Sequence, residues 1–302
     1  MVLLRAHDWV KRRWSRLETR GIAWRRLAHW GANRGPSAWV RYSPTFFGVM
    51  FGCVSARERR ALRANLRDIL GHRNWAIEQM DVYRTLGNYA HCVAESLAGS
   101  RPEAQAARPC VLGRERLRQA LQAGRGLVIV TAHVGAWDVA LRHLAREWEI
   151  PVLAVMRRER DVAAAAFHDG LREQTGVRVL HVEHPLDGLA LLGHLRQPGA
   201  VAIQLDRLPD GARAISGRLF GRAVAVPEGP FRLAMAAGAP VLPVFVRRMG
   251  YFDYQVQVAE ARWLPRQADL GAIEAMAQAT LRELEHFVAE SPTQWFNFGP
   301  PD

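Results

Sequence analysis

The sequence predicts an α/β fold, with a mixed, largely parallel sheet flanked by helices and preceded by a basic helical region. From residue 126 onward, short apolar runs alternate with segments of helical length. Such alternation favours parallel strands joined by right-handed helical crossovers. Residues 1–80 hold 16 of the 41 basic residues but only 5 of the 29 acidic ones, so nearly all of the net charge of +12 lies in the first quarter of the chain.

The N-terminal region combines this positive charge with tryptophan. Five of the ten tryptophans fall within the first 40 residues, namely Trp9, Trp14, Trp24, Trp30 and Trp39. Tryptophan and arginine together favour the lipid headgroup zone, where an indole buries its ring and keeps its N–H hydrated. Helices over residues 9–30 are therefore expected on an anionic membrane surface, with a solvated helix packed on its own domain as the alternative. No nucleic-acid-binding motif accompanies the charge, so nucleic acid is not an expected partner.

Two regions are predicted. Residues 1–55 are expected to form a basic, Trp-rich, amphipathic helical membrane-associating region, and residues 56–302 an α/β domain. Within the first region, residues 44–54 form an uncharged apolar stretch of 11 residues, which is either a shallow membrane wedge or a core helix. A spanning helix needs about 20 residues, and the apolar residues before Arg5 are too few for a signal peptide. The expected attachment to a membrane is therefore peripheral or monotopic.

The other elements follow from hydrophobic period and from turn residues. Ser55-Ala56-Arg57-Glu58 has the pattern of a helix-opening capping box, and Gly71 is expected to end that helix. Residues 252–258 alternate apolar and polar side chains, which predicts a strand with one hydrated face. Helices are predicted over residues 56–71, 75–97, 137–148, 162–174, 186–196, 230–237 and 270–290, and strands over 127–130, 152–156, 177–182, 200–205, 241–246 and 252–258.

The segment after the first of these strands carries the clearest chemical pattern. His133 lies just past the strand, at the carboxyl edge where sites of parallel sheets collect, and Asp138 follows at the start of a helix. A histidine can accept a proton from a hydroxyl at neutral pH, and a carboxylate on its other nitrogen fixes its tautomer. Gly135 would let the backbone approach a ligand, and the helix N-terminus offers amide donors. The alternative is a histidine bonded to a carbonyl and an aspartate that caps the helix.

Other candidate sites are weaker. His181, Glu183 and His184 lack the spacing of a helical zinc motif, and no P-loop or nucleophile-elbow pattern is present. The three cysteines are too widely spaced for a metal cluster or a disulfide framework. Gly229, before a helix, is either a contact for phosphate or backbone or simply a turn glycine. No metal or redox cofactor is expected.

Eight short blocks along the chain resemble one family in their order and spacing. They are Arg63-Ala64-Asn65-Leu66-Arg67, His133-Val134-Gly135-Ala136-Trp137-Asp138, Val155-Met156-Arg157, Ala202-Ile203-Gln204-Leu205-Asp206, Leu219-Phe220-Gly221, Pro227-Glu228-Gly229-Pro230, Ala237-Gly238-Ala239-Pro240-Val241 and Gln294-Trp295-Phe296-Asn297-Phe298. In these blocks the chain resembles the bacterial lipid A late acyltransferases, the lauroyl/myristoyl acyltransferase group of the lysophospholipid acyltransferase superfamily.

The resemblance implies transfer of a fatty acyl group from a thioester, on acyl carrier protein or coenzyme A, to a hydroxyl or amine of a lipid or glycolipid such as a lipid A precursor. It places this work at the cytoplasmic face of the bacterial inner membrane. His133 would be the general base and Asp138 its orienter. The substrate-binding residues would be Arg157, Asp206, Gly135, Trp137 and Gly229, with Arg157 and Asp206 binding the acceptor or organising the centre.

Three departures leave the acceptor open. Ala136 stands where the family commonly has Asn, Asp138 where this branch usually has Glu, and Arg207 where Gln is usual. Enzymes of phosphatidylinositol mannoside, aryl polyene and aminolipid pathways look similar to this group. Two alternative functions remain: a thioesterase that releases free fatty acid, and a non-catalytic membrane-binding protein of the same fold.

Overall fold

The computed structural model describes residues 22–158, 161–184 and 186–299. The helices are α1 (Ile22–Arg34), α2 (Ser37–Val54), α3 (Ala56–Leu70), α4 (Trp75–Leu97), α5 (Pro102–Ala106), α6 (Arg114–Gln122), α7 (Trp137–Glu147), α8 (Val162–Glu173), α9 (Asp187–Leu195), α10 (Gly229–Ala237) and α11 (Leu270–Glu290). The strands are β1 (Cys110–Leu112), β2 (Leu127–Thr131), β3 (Val152–Met156), β4 (Val177–His181), β5 (Ala200–Gln204), β6 (Ala214–Leu219), β7 (Arg222–Pro227), β8 (Val241–Gly250) and β9 (Asp253–Val258). A short 3₁₀ helix over Pro292–Gln294 follows α11.

A seven-stranded sheet forms the centre, in the order β1-β9-β8-β2-β5-β3-β4. All neighbouring pairs are parallel except β8 with β9. Strand β2 lies in the middle, between β5 and β8, and all five of its residues are buried. The predicted fold class, a mixed and largely parallel sheet with flanking helices, is confirmed.

Two apolar cores lie on opposite faces of the sheet. Successive side chains of a strand point to opposite faces, so β2 contributes alternate residues to each core. Leu127 and Ile129 belong to the core that includes residues of α7, whereas Val128 and Val130 belong to the core that includes residues of α10 and α11. Helices thus cover both faces, as a mainly parallel sheet requires. Because helices cover both faces, side chains that follow neighbouring strands meet at the carboxyl edge of the sheet.

Helices α1 and α2 expose a row of large apolar side chains, here called the aromatic face. Its members are Trp24, Leu27 and Trp30 of α1 and Trp39, Tyr42, Phe46, Phe47, Val49, Met50 and Val54 of α2. The opposite side of α2 packs on α4, where Val40, Pro44, Gly48 and Gly52 are buried. Residues 44–54 are therefore neither a pure core helix nor a separate wedge. None of the helices among residues 22–299 that the structure describes is both long and apolar enough to cross a bilayer.

Most predicted elements are present within one or two residues of their expected ends, but some were not foreseen. Helices α5 and α6, strand β1 and the antiparallel β6–β7 hairpin lack a clear period in the sequence. The hairpin turn has positive φ at both Phe220 and Gly221. Asn-Gly is the sequence that usually predicts this turn, and here a phenylalanine takes the place of the asparagine. The predicted capping box is wrong, because the Ser55 side chain makes no hydrogen bond that caps α3, although the helix begins at the next residue. Expectations for residues 1–21 lie outside the described residues, and the two-region division stays a prediction.

Candidate active site

The carboxyl ends of β2 and β5 bring His133 and Asp206 together. Thr131 at the end of β2 is paired in register with Gln204 at the end of β5. The backbone N–H of Leu205 then donates to the carbonyl of Thr131 at 2.9 Å. His133 and Asp206 each lie two residues beyond these paired strand ends. Parallel pairing at equal register is thus the reason that two residues 73 positions apart meet.

Asp206 receives three hydrogen bonds. Its Oδ1 accepts from the backbone N–H of His133 at 3.1 Å and lies 2.8 Å from Nδ1 of the same residue. Its Oδ2 accepts from the indole Nε1–H of Trp295 at 3.0 Å. The Asp206 side chain is fully buried, whereas that of His133 is 27% exposed. The carboxylate is therefore fixed from both sides, and the imidazole stays accessible.

The charge state of Asp206 fixes the tautomer of His133. Burial alone would raise the pKa of Asp206. The charge of His133 and the hydrogen bond from it, together with the charge of Arg207 and the hydrogen bond from Trp295, outweigh burial and lower this pKa to about 2. Asp206 is thus ionised at neutral pH and can only accept at Nδ1, so the proton of a neutral His133 lies on Nδ1. Nε2 then carries the lone pair and can take a proton from a substrate.

Asp138 does not orient His133, and that prediction is wrong. Its Oδ2 accepts from the hydroxyl of Ser96 at 2.5 Å, and its Oδ1 accepts from Nε of Arg172 at 3.0 Å. Burial would raise the pKa of Asp138, but the charges of Arg172 and Arg142 and the Ser96 hydroxyl lower it to about 2. Asp138 lies in the first turn of α7, and that helix carries its side chain toward α4 and α8. The aspartate therefore ties three helices together behind the His133 loop.

Gly135 is required for a close approach between two backbone segments, and the substrate contact expected of it stays a prediction. Its φ is +47°, and a Cβ built on it would lie 2.1 Å from the carbonyl oxygen of Val246 in β8. Its N–H donates to the carbonyl of Gln294 at 2.9 Å. Any side chain here would push the loop that carries His133 away from the sheet, so Gly135 positions the histidine.

The segment 294–297 closes the back of the site. The N–H of Phe296 donates to the carbonyl of His133 at 2.8 Å, and Val134 pairs with Trp295 in an antiparallel bridge. Arg207 donates to the carbonyl of Phe296. The Asn65 amide of α3 donates to the carbonyl of Asn297 at 2.8 Å. Blocks that are far apart in the sequence therefore meet around His133.

The remaining expected site residues lie near this centre in different ways. Arg157 follows β3 at the same carboxyl edge and pairs at 2.7 Å with Asp210, and both side chains are largely exposed. The ring of Trp137 packs against the core with the guanidinium of Arg172 at 5.8 Å from its centroid. A Cβ on Gly229 would meet nothing within 4 Å, so space does not demand a glycine there. Substrate contacts by these three residues stay predictions.

A family model decides the family. The model described as bacterial lipid A biosynthesis acyltransferase matches residues 11–300. The chain belongs to this family. Recognition by the eight blocks is thereby confirmed, and the family match covers the His133 loop, Asp206 and the Gln294–Phe298 block together.

Curated relatives of this acyltransferase family member are similar over part of their length. A phosphatidylinositol mannoside acyltransferase of Mycobacterium tuberculosis is 28% identical over 196 residues, which are 62% of this chain and 58% of that protein. A protein of the same name from Mycolicibacterium smegmatis is 30% identical over 138 residues, 44% of each chain. The match thus spans about half the length of these relatives.

The sequence did not reveal one contributor to the site, Trp295, or one partner of Asp138, Ser96. Ser96 had no signal, because a serine within a long helix is common. Trp295 lay in a block that carried the resemblance, and an indole N–H close to a buried carboxylate could have been considered as its donor. Among the residues that the structure describes, no group of three or more His, Cys, Asp or Glu side chains could hold a metal ion. The expectation that the reaction needs no cofactor stays a prediction.

Proposed function

We propose that this protein transfers a fatty acyl group from a thioester donor to a hydroxyl or amine of a lipid or glycolipid acceptor. The single observation that carries the proposal is the 2.8 Å contact between Nδ1 of His133 and the buried Asp206 carboxylate. This pair leaves Nε2 of a partly exposed imidazole to act as general base. The family membership and the names of the relatives supply the substrate class.

The reaction follows from the pair. Nε2 of His133 removes the proton from the acceptor hydroxyl, and the oxygen attacks the thioester carbonyl. Backbone amides at the start of α7 are the proposed donors to the developing oxyanion. Collapse of the tetrahedral intermediate breaks the carbon–sulfur bond, and the imidazolium returns the proton to the leaving thiolate. The products are an acyl ester and a free thiol, so atoms and charges balance without a further reactant. Asp206 stabilises the imidazolium in between.

The donor is an acyl group on acyl carrier protein or coenzyme A, and the acceptor is a membrane lipid. A phosphatidylinositol mannoside-like glycolipid and a lipid A precursor are both candidates, the first from the relatives' names and the second from the family's description. Both classes combine sugar hydroxyls with phosphate. The cytoplasmic face of the bacterial inner membrane is the proposed place of the reaction.

The aromatic face supports attachment to a membrane. Trp39, Tyr42 and Phe46 are 53%, 66% and 62% exposed, and their spacing places them on one side of α2. Soluble monomers rarely expose so many neighbouring aromatic side chains. Arginines of the same helices can contact anionic headgroups. A protein held this way would keep a lipid acceptor within reach of its site.

Incubation of the purified chain with acyl-coenzyme A or acyl carrier protein thioester and a bacterial lipid extract tests the proposal. Mass spectrometry should detect an acylated lipid together with released thiol. The His133→Ala variant should lose the transfer, while His72→Ala, which replaces an exposed histidine with 82% side-chain exposure, should keep it.

Each other outcome has a definite meaning. Free fatty acid without acylated lipid would identify a thioesterase. Vesicle binding with no donor consumption by the wild type would identify a non-catalytic membrane protein. Equal transfer by His133→Ala and the wild type would refute the assignment of the base.

A further inference from the structure

A cavity of about 420 Å³ lies beside α7, on the side that faces α5 and β9. Val139, Arg142 and Arg146 of α7 form one wall. The aromatic side chains of Phe252 and Tyr254 contribute to the lining. The volume is within the range of small-molecule sites, roughly 300–1,000 Å³. None of the residues proposed for acyl transfer lines this space.

Arginine is the most frequent charged residue in the lining of the cavity. Arg108, Arg142 and Arg146 line it. The two acidic residues of the lining already have cationic or hydrogen-bonding partners and do not cancel these arginines. Buried Glu95 accepts from Nε of Arg248 at 2.7 Å and from the hydroxyl of Tyr254 at 2.6 Å.

The second acid, Glu147, accepts from Arg114 at 2.5 Å and contacts Nε2 of His143. Arg142 lies near the ionised Asp138, whose pKa its charge lowers, so the positive charge left for a ligand comes mainly from Arg108 and Arg146. An acyl chain would not favour walls with this charge.

One residue fixes two of the arginines. Arg146 donates to the side-chain Oε1 of Gln105 at 2.7 Å, and Arg108 donates to the backbone carbonyls of Gln105 and Ala107 at 3.0 Å each. A guanidinium has five N–H donors, so these bonds hold each group in place and leave it donors for an anion. Pre-oriented guanidinium groups recognise the oxygens of a phosphate well.

The cavity adjoins the first turn of α7 and the short helix α5. Val139 follows Asp138 directly, so one end of the cavity is next to the start of α7. At the wall formed by α5, Glu103 accepts from the hydroxyl of Ser37 at 2.7 Å, and Ser37 begins α2. The same five-residue helix thus contacts both the cavity and the helix that presents the aromatic face.

We propose that this cavity binds the phosphate ester of a substrate, with Arg108, Arg142 and Arg146 as its ligands. This inference rests on the proposed function and assigns a site within it. Two substrates could supply the same chemistry, namely the phosphopantetheine arm of the donor and the phosphate-bearing headgroup of the acceptor. The site holds that phosphate while the reacting end of the same molecule lies near His133.

Calorimetric binding of matched ligands tests the site without turnover. The ligands are 4′-phosphopantetheine with pantetheine as its phosphate-free control, and glycerophosphoinositol with inositol as its control. The wild type should bind at least one phosphate ligand at least about tenfold more tightly than its control, the gain typical of hydrogen bonds between charged groups. The ligand that shows the gain identifies the source of the phosphate.

The Arg108→Gln/Arg146→Gln variant should lose this gain, whereas Arg118→Gln, at an exposed arginine paired with Glu115 on α6, should keep it. Circular dichroism and thermal unfolding check that the variants are folded, and Arg108→Gln alone replaces the pair if the double variant is not. Equal affinity of the wild type and the folded variant for both phosphate ligands would overturn the proposal. Because no acyl transfer is measured, failure of the proposed reaction would not alter these results.

Discussion

The indole of Trp295 donates a hydrogen bond of 3.0 Å to Oδ2 of Asp206, on the side of the carboxylate opposite His133. The carboxylate is thus held between a histidine and a tryptophan that come from different parts of the chain. Its orientation depends on both donors, since its side chain is fully buried and out of reach of bulk solvent.

Loss of the indole donor should reduce turnover more than substrate affinity. In Trp295→Phe the ring can still pack on Phe220, whose centroid lies 5.9 Å away, but Asp206 loses one hydrogen bond. We expect kcat to fall about tenfold, the effect of one hydrogen bond to a charged group, with KM little changed. Trp263→Phe, at a tryptophan that is 52% exposed, is the control. A change in KM alone would argue against a positioning role for Trp295.

Removal of the Asp206 charge should be far more damaging. The neutral amide in Asp206→Asn would no longer enforce the Nδ1–H tautomer or stabilise the imidazolium, and a loss in kcat on the order of 10³–10⁴ is expected by analogy with catalytic triads. Steady-state kinetics with a saturating donor measures this. Asp138→Asn is the matched comparison, since it should leave the His133–Asp206 contact in place. An equal loss in the two variants would contradict the assignment of the orienting role to Asp206.

Asp138 should contribute to stability in a pH-dependent way. Its pKa is about 2 in the folded protein, against an ordinary value of 3.8, so folding favours the ionised form. A depression of this size contributes about 2 kcal/mol at neutral pH, and the contribution disappears as the pH falls from about 4 through 2. Urea unfolding at several pH values should show that Asp138→Asn is less stable at pH 7 and loses less stability on acidification.

The control for this experiment is Asp253→Asn, because Asp253 is exposed at the β8–β9 turn. This variant should follow the pH dependence of the wild type. If Asp138→Asn did the same, the three-helix contact of Asp138 would not be a source of stability.

The aromatic face should bind anionic vesicles. Replacement of Trp39, Tyr42 and Phe46 by serine removes exposed apolar area without touching the core. Cosedimentation with phosphatidylglycerol vesicles should therefore drop several-fold. The free energy of unfolding should stay within about 0.5 kcal/mol of the wild type. Salt should weaken binding of the wild type, because part of the attraction is electrostatic. Trp263→Ser, elsewhere on the surface, is the control, and undiminished binding by the triple variant would exclude the aromatic face.

The close approach at Gly135 can be tested against Gly193, a glycine of α9 with no proposed role in the site. Gly135→Ala would place a Cβ against the carbonyl of Val246 at positive φ, and we expect a loss of at least about 2 kcal/mol together with a large fall in activity. Gly193→Ala, at an exposed position of α9, meets open space and should be neutral or slightly stabilising. Thermal unfolding and transfer rates of both variants check this, and equal behaviour would show that the close approach at Gly135 is not needed.

The sequence predicts the elements of this fold better than the partners within its site. The buried strand β2 and the long helices α4 and α11 have strong periods and clear ends, because each buries a continuous apolar face. The β6–β7 hairpin has a weaker signal, since Gly217 takes one of the alternate buried positions of β6 and the turn uses a phenylalanine at positive φ. Strength of local pattern therefore decides which elements can be predicted.

The site shows the limit in another way. His133 and Asp138 are close in sequence, and that proximity suggested a pair, but the helix start directs Asp138 toward Ser96 and Arg172. Asp206 could be placed at a strand end, yet its pairing with His133 depends on β5 lying beside β2, a strand order that hydrophobic patterns do not reveal. The residue types of the site and the edge of the sheet on which they lie could be predicted from the sequence. The contacts between them could not, because they depend on the order of the strands in the sheet.

The bridge between Val134 and Trp295 has a consequence for biosynthesis. Trp295 is 89 positions beyond Asp206 and lies after the last long helix. While the ribosome is still making α11, the nascent chain can pair β2 with β5. The carboxylate at their edge still lacks its indole donor, and Val134 of the His133 loop still lacks its bridge to Trp295. Because contacts of such long range form late in folding, we expect a competent centre only after the segment that carries Trp295 has emerged.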